Sequence, residues 1–174
     1  MRRRVWAGTI VMLVLVALTV GAVGCGSKTA GGDETLAWNK KIASTVTHAA
    51  ALGLGGILKG VTDPQQKIAM MREYIDPVRF YDDSSGYFYV YDSACVNVAH
   101  ATQKDIVGTS LYDYKDTKGK YVIRELLAAA KAGGGFVEYY WIKPGEQDEK
   151  AKLGYVEPIP GTDYFIGTGV YLEN

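Results

Sequence analysis

The stretch that decides the fold reads Arg79-Phe80-Tyr81-Asp82-Asp83-Ser84-Ser85-Gly86-Tyr87-Phe88-Tyr89-Val90-Tyr91-Asp92-Ser93-Ala94-Cys95-Val96-Asn97-Val98-Ala99-His100. Asp82 to Gly86 is a run of turn formers, because Asp and Ser side chains bond their own backbone and glycine accepts positive φ. Tyr87 to Tyr91 are all aromatic or β-branched and fit a pleated, half-buried surface. A short polar break and a second β-prone run ending at His100 complete a hairpin. Successive strand residues face opposite ways, so Tyr87, Tyr89 and Tyr91 share one face and Phe88 and Val90 the other.

Downstream, Ala101 to Gly119 is polar and turn-rich, with Val107 and Leu111 as apolar anchors. Lys120 to Ala132 carries the clearest helical pattern, stopped by Gly133-Gly134-Gly135. Phe136 to Ile142 reads as a strand with Tyr139 and Trp141 on one face, and Lys143 to Asp148 as a hairpin loop. Lys152 to Val156 pairs back, Pro158 to Thr162 turns, and Tyr164 to Tyr171 completes the sheet. Glycines at 167 and 169 inside that last strand imply that something packs close to its backbone.

Upstream, Leu36 to Lys59 has a helical pattern weakened by Gly53, Gly55 and Gly56. His48, among Thr and Ala, reads as a partly exposed helix histidine. Asp63-Pro64 is a stronger start signal, an N-cap followed by proline at the first helical position, opening a helix from about Gln65 to Val78. Asp76-Pro77 ends it, since a residue before proline avoids the helical region. Five strands, with helices before and between them, make an α+β arrangement.

The N-terminus is of another kind. Arg2 to Arg4, an apolar run from Val5 to Val20 and the small residues Gly21-Ala22-Val23-Gly24 before Cys25 describe a secretory signal. Ala22-Val23-Gly24-Cys25 resembles a bacterial lipobox, with Ala22 where leucine is usual, which implies lipidation of Cys25. The alternative is an uncleaved anchor, since Val5 to Val23 is long enough to span a bilayer. Either way the globular part is expected outside the cytoplasm. Gly26 to Thr35 is small and polar, so residues 1–24 read as signal peptide, 25–35 as flexible tether and 36–174 as one domain.

Charge and motifs exclude several classes. The 19 basic and 19 acidic residues balance, and without Arg2, Arg3 and Arg4 the remainder is net −3. Such a chain has no electrostatic footprint for nucleic acid. Of two cysteines, Cys25 is assigned to lipid, leaving Cys95 as a buried small hydrophobe on the second strand. No nucleophile with a base and an orienting group, no phosphate-cradling loop and no dinucleotide fingerprint is present. The chain is expected not to be an enzyme and to need no cofactor or metal.

The first hairpin resembles that of single Cache domains, small extracytoplasmic sensor modules with a PAS-like sheet. Further matches in the family's order are Lys104-Asp105-Ile106-Val107-Gly108, Gly119-Lys120-Tyr121 with Arg124-Glu125, Val137 to Trp141 with Lys143-Pro144-Gly145, Lys152 to Val156, and Ile166 to Tyr171. Ser93-Ala94-Cys95 departs from the Asp-Gly type turn more usual there. The resemblance implies a PAS-like five-stranded antiparallel sheet, with N-terminal helices packed on it and a helix between strands 2 and 3. It also implies a small organic acid, amino acid or amine as ligand, contacted at Arg79, Tyr89, His100, Tyr139, Trp141, Lys152 and Tyr155.

Three cations in that set favour an anion, since Arg and Lys match a carboxylate taken out of water. The alternatives for them are a surface pairing of Arg79 with Asp82 or Asp83 and a solvated Lys152. The expected function is a membrane-anchored lipoprotein that binds a small carboxylate or amino acid and acts through a receptor or kinase partner. The alternative is a structural or interaction lipoprotein without a small ligand.

Overall fold

The computed structural model describes residues 30–172. Helix α1 (Ala30–Ile57) leads to α2 (Pro64–Ile75), then strands β1 (Tyr89–Asp92) and β2 (Asn97–His100), helix α3 (Val122–Lys131), and strands β3 (Gly135–Ile142), β4 (Glu149–Pro158) and β5 (Tyr164–Tyr171). The strands form one antiparallel sheet in the order β2-β1-β5-β4-β3. Strand β5, last in sequence, lies at the centre between β1 and β4. The α+β expectation of N-terminal helices and a helix between the second and third strands is met.

Helix α1 begins earlier than composition indicates, so residues 30–35, read as tether, form its first turns. It also runs through Gly53, Gly55 and Gly56. Around them Ala50, Ala51, Leu54 and, just past the helix, Leu58 are buried in the core, and packing of an apolar face outweighs propensity in a helix of this length. The residues read as signal peptide, Cys25 and the rest of the stretch read as tether lie outside the described residues. Among the described residues no helix is long and apolar enough to cross a membrane.

Helix α2 starts as its sequence dictates. The Asp63 carboxylate accepts from the backbone N–H of Gln65 at 3.1 Å and of Gln66 at 3.3 Å, with Pro64 at the first helical position. Its Met71 and Ile75 are buried, and Arg72 donates from Nε to the Val98 carbonyl of β2 at 2.8 Å. Helix α1 packs on β4 and β5, and α3 on β3 and β4 from the other face. The sheet is therefore covered on both sides, α1 and α2 on one, α3 and the 101–121 segment on the other.

That segment also protects the sheet margins. Asn97 of β2 bonds two residues of this segment, its N–H to the Thr109 carbonyl at 3.0 Å and its carbonyl accepting the Gly108 N–H at 2.7 Å. On the opposite margin the buried Asp116 carboxylate accepts the Tyr140 N–H of β3 at 3.0 Å, besides those of Lys118 and Lys120. An unpaired edge invites other strands, and both margins here are partly occupied.

Cys95 is fully buried, as expected of a small hydrophobe, but it belongs to the turn before β2 rather than to the strand. Its φ of 62° is the left-handed conformation that lets three residues reverse the chain between Asp92 and Val96. Asp92 fixes that turn by accepting from the N–H of Ala94 and Val96 at 2.9 and 2.8 Å.

Candidate functional site

Registers place one face of the sheet under α3. Tyr89 pairs with both His100 and Gly167, Gly167 with Val156, Tyr139 with Lys152, and Lys152 with Tyr171. Paired residues point the same way, so Tyr89, His100, Tyr139, Lys152 and Tyr171 share that face, joined by Trp141. All but Tyr171, which is half-buried, are buried. Ile123 and Leu126 of α3 roof the part of the group formed by Tyr89, His100, Tyr139 and Trp141.

Glycines let the rings lie flat. A Cβ on Gly154 would stand 2.6 Å from Cε1 of Tyr139, and one on Gly167 2.6 Å from Cε2 of Tyr89. Any side chain larger than hydrogen there would lift these rings into the roof. The close approach foreseen at the glycines of the last strand is thus the Tyr89 ring and Val156 at Gly167, and the β4 backbone at Leu153 and Gly154 with the Lys152 stem at Gly169.

Lys152 is the chemical centre. It is fully buried, and its Nζ bonds the Tyr87 hydroxyl at 2.8 Å. The same Nζ lies 4.0 Å from the Tyr87 ring centroid, 4.7 Å from that of Tyr171 and 5.8 Å from that of Tyr89. No carboxylate pairs with it among the described residues: Asp83 is held by Lys143 at 2.8 Å and Glu146 by Lys150 at 3.4 Å. Cation–π contacts are worth up to about 2 kcal/mol when desolvated, whereas taking an ammonium out of water costs several. Burial accordingly holds the Lys152 ammonium well below the usual lysine range.

The tyrosine hydroxyls are chained together. Tyr87 meets Tyr171 at 3.2 Å, Tyr171 donates to the Ile142 carbonyl at 2.7 Å, and Tyr89 meets Tyr139 at 3.2 Å. Burial pushes all four phenols above their ordinary range. They stay neutral, and their hydroxyls serve as donors.

His100 is a different kind of group. Its Nδ1 accepts the Gln103 N–H at 2.9 Å and the Thr102 N–H at 3.4 Å, which fixes the tautomer and leaves Nε2–H as its donor. Burial first, then nearby cationic side chains, pulls it down to about 3. Its ring stacks with Tyr89 and Trp141 at 6.1 and 6.4 Å, and Trp141 is pinned by its Nε1–H to Gln103 Oε1 at 2.8 Å. Between these rings and α3 the cavity is about 10 Å³, room for one water at most.

Of the seven residues named for the site, Tyr89, His100, Tyr139, Trp141 and Lys152 are brought together. Arg79 is not among them. It is exposed and clamps backbone, donating to the carbonyls of Asp76, Val78 and Ala101 at 3.0, 2.6 and 2.7 Å, rather than pairing with Asp82 or Asp83. Tyr155 faces α1, its hydroxyl on Glu157 at 2.8 Å, and Glu157 in turn contacts the exposed His48 at 2.9 Å. It stands three positions on from Lys152, an odd offset, and strand period 2 already sets the two on opposite faces. Tyr87 and Tyr171, outside that set, are the groups nearest to Nζ; Tyr87 shares strand parity with Tyr89, which is the signal that finds it.

A family model described as Cache domain matches residues 58–174. The sensor histidine kinase MctS of Rhizobium johnstonii is 42% identical over 89 residues, covering 51% of this chain and 19% of that protein. The chain spans less than a third of the length of the curated relatives it matches. Among solved structures, a methyl-accepting chemotaxis protein from Vibrio parahaemolyticus is 30% identical, with TM-score 0.72, over 82% of this chain and 95% of that one. Another, described as "Structural basis for carboxylic acid recognition by a Cache chemosensory domain", is 26% identical with TM-score 0.70, over 84% of this chain and all of that one.

Proposed function

The chain belongs to the Cache domain family, and from that premise we propose that it is an extracytoplasmic sensor whose ligand is a small carboxylate held by Lys152. The observation that carries this reading is a fully buried lysine with no acidic partner among the described residues. A buried charge is tolerated when paired, and a ligand carboxylate is the pair this site lacks. The surrounding neutral donors, the Tyr89 and Tyr139 hydroxyls and His100 Nε2–H, suit an anion better than an amine. The relative described for carboxylic acid recognition supports the same class.

Binding, not catalysis, is the mechanism. Output passes to a receptor or kinase partner, in keeping with the sensor histidine kinase and chemotaxis relatives, and lipid on Cys25 anchors the protein at the membrane. A thermal-shift screen of the purified chain against acetate, propionate, pyruvate, lactate and amino acids tests the reading. At a hundred times its Kd a ligand adds about 2.7 kcal/mol; Lys152→Met, of similar volume and apolar, is expected to fold and to abolish that shift.

The small cavity favours one other reading, a protein-interaction domain whose pocket is filled by its own tyrosines. In that case no carboxylate moves the midpoint of the wild-type chain.

A further inference from the structure

Resting on the carboxylate reading above, we infer that each anion captured at Lys152 brings one proton with it from solvent, so that the site binds the acid rather than the anion alone. The argument is one of neighbours. Nζ has a single hydrogen bond, to the neutral Tyr87 hydroxyl, and otherwise faces the rings of Tyr171 and Tyr89. From β3 it is faced by Tyr139, its direct cross-strand partner, and from α3 the roof over these rings is Ile123 and Leu126, which carry no charge.

Acids near this end of the sheet are engaged elsewhere. Glu146 reaches Tyr171 electrostatically but pairs with Lys150, and Asp83 pairs with Lys143. The other charges that reach the cluster are positive: Arg79 acts on Tyr87 and His100, and Lys104 on His100. The rings around Nζ favour an ammonium, but by less than its desolvation costs; no carboxylate among the described residues adds to them before the ligand arrives, and the direction in which burial moves Lys152 agrees.

A carboxylate against Nζ reverses the balance, because an opposite charge at contact favours the charged form. The reaction is then neutral lysine amine, carboxylate anion and one proton from solvent giving an ammonium–carboxylate pair; no bond other than N–H forms. His100 cannot be the proton's destination. Its Nδ1 already accepts from Gln103 and Thr102, and Nε2 already carries hydrogen. The tyrosines are protonated throughout.

Calorimetric titration of the full chain with acetate, propionate, pyruvate and lactate in turn, at pH 7 in buffers of different ionisation enthalpy, reads the proton number from the slope of observed enthalpy. Uptake close to one proton per bound anion is expected. Affinity should weaken as pH rises, with about tenfold per pH unit as the proton-linkage limit for one site. Saturable binding with a slope of zero overturns the inference and leaves the carboxylate reading standing. Absence of binding by every probe removes both. Lys152→Arg, permanently charged, is expected to take up no proton if it binds; uptake unchanged in that variant would place the proton elsewhere and overturn the assignment.

Discussion

His100 and Lys152 are both buried, and each is a base whose charged form burial disfavours. The unfolded chain therefore binds protons that the folded chain does not, and stability falls with falling pH. For His100 the contribution is complete above its unfolded value near 6.5 and is lost as pH drops through about 3. At about 1.4 kcal/mol per pH unit for one group, urea unfolding between pH 6.5 and 3 should show a loss of several kcal/mol from this residue. His100→Gln keeps an acceptor for the Gln103 N–H and should flatten that part of the curve; an unchanged slope would assign the loss to other groups. Both bases could be picked out in the sequence as members of the candidate cluster, but the neutrality of His100 could not. It follows first from burial, which the assembled fold decides, and the chain's turn back at the end of β2 adds the N–H groups of Thr102 and Gln103 on Nδ1. The misplacement of Tyr155 is the opposite case, since its parity against Lys152 was readable from residue numbers alone.

Strands and helices were mostly legible because their signals are local. Asp63-Pro64 starts α2 where expected, and β3 and β5 begin within a residue of their predicted limits. The start of α1 was missed, since six small or polar residues give no apolar periodicity and are ordered by the helix that follows. What no single element reveals is the seating of one on another, as with Tyr139 over Gly154. Gly154→Ala should cost about 1–3 kcal/mol in urea unfolding, the usual range for overpacking. Combined with Tyr139→Ala, which removes the ring, the cost should be less than the sum of the two single changes, as coupled neighbours require. Strict additivity would mean that ring and backbone do not press on each other.

Across the whole molecule, the strand order was beyond local signals, because adjacency of β1 and β5 joins residues about eighty apart. The family resemblance implied a PAS-like antiparallel sheet, and the order itself is read from the structure. The order has a mechanical result: the floor of the site is backbone, and its roof is α3 with the 101–121 segment. A carboxylate cannot enter about 10 Å³ without displacement, and the floor cannot retreat. Hydrogen exchange with and without acetate should therefore change in residues 101–131 and leave β4 and β5 unaltered. Changes confined to α1 would place the moving part on the wrong side of the sheet. The same flat seating also constrains divergence. Tyr139 with Gly154, and Tyr89 with Gly167, behave as two-letter words rather than separate letters: a descendant that gains a side chain at either glycine must shrink the matching ring. Ligand preference in this lineage is then free to drift through the helix above, while the sheet below is inherited in pairs.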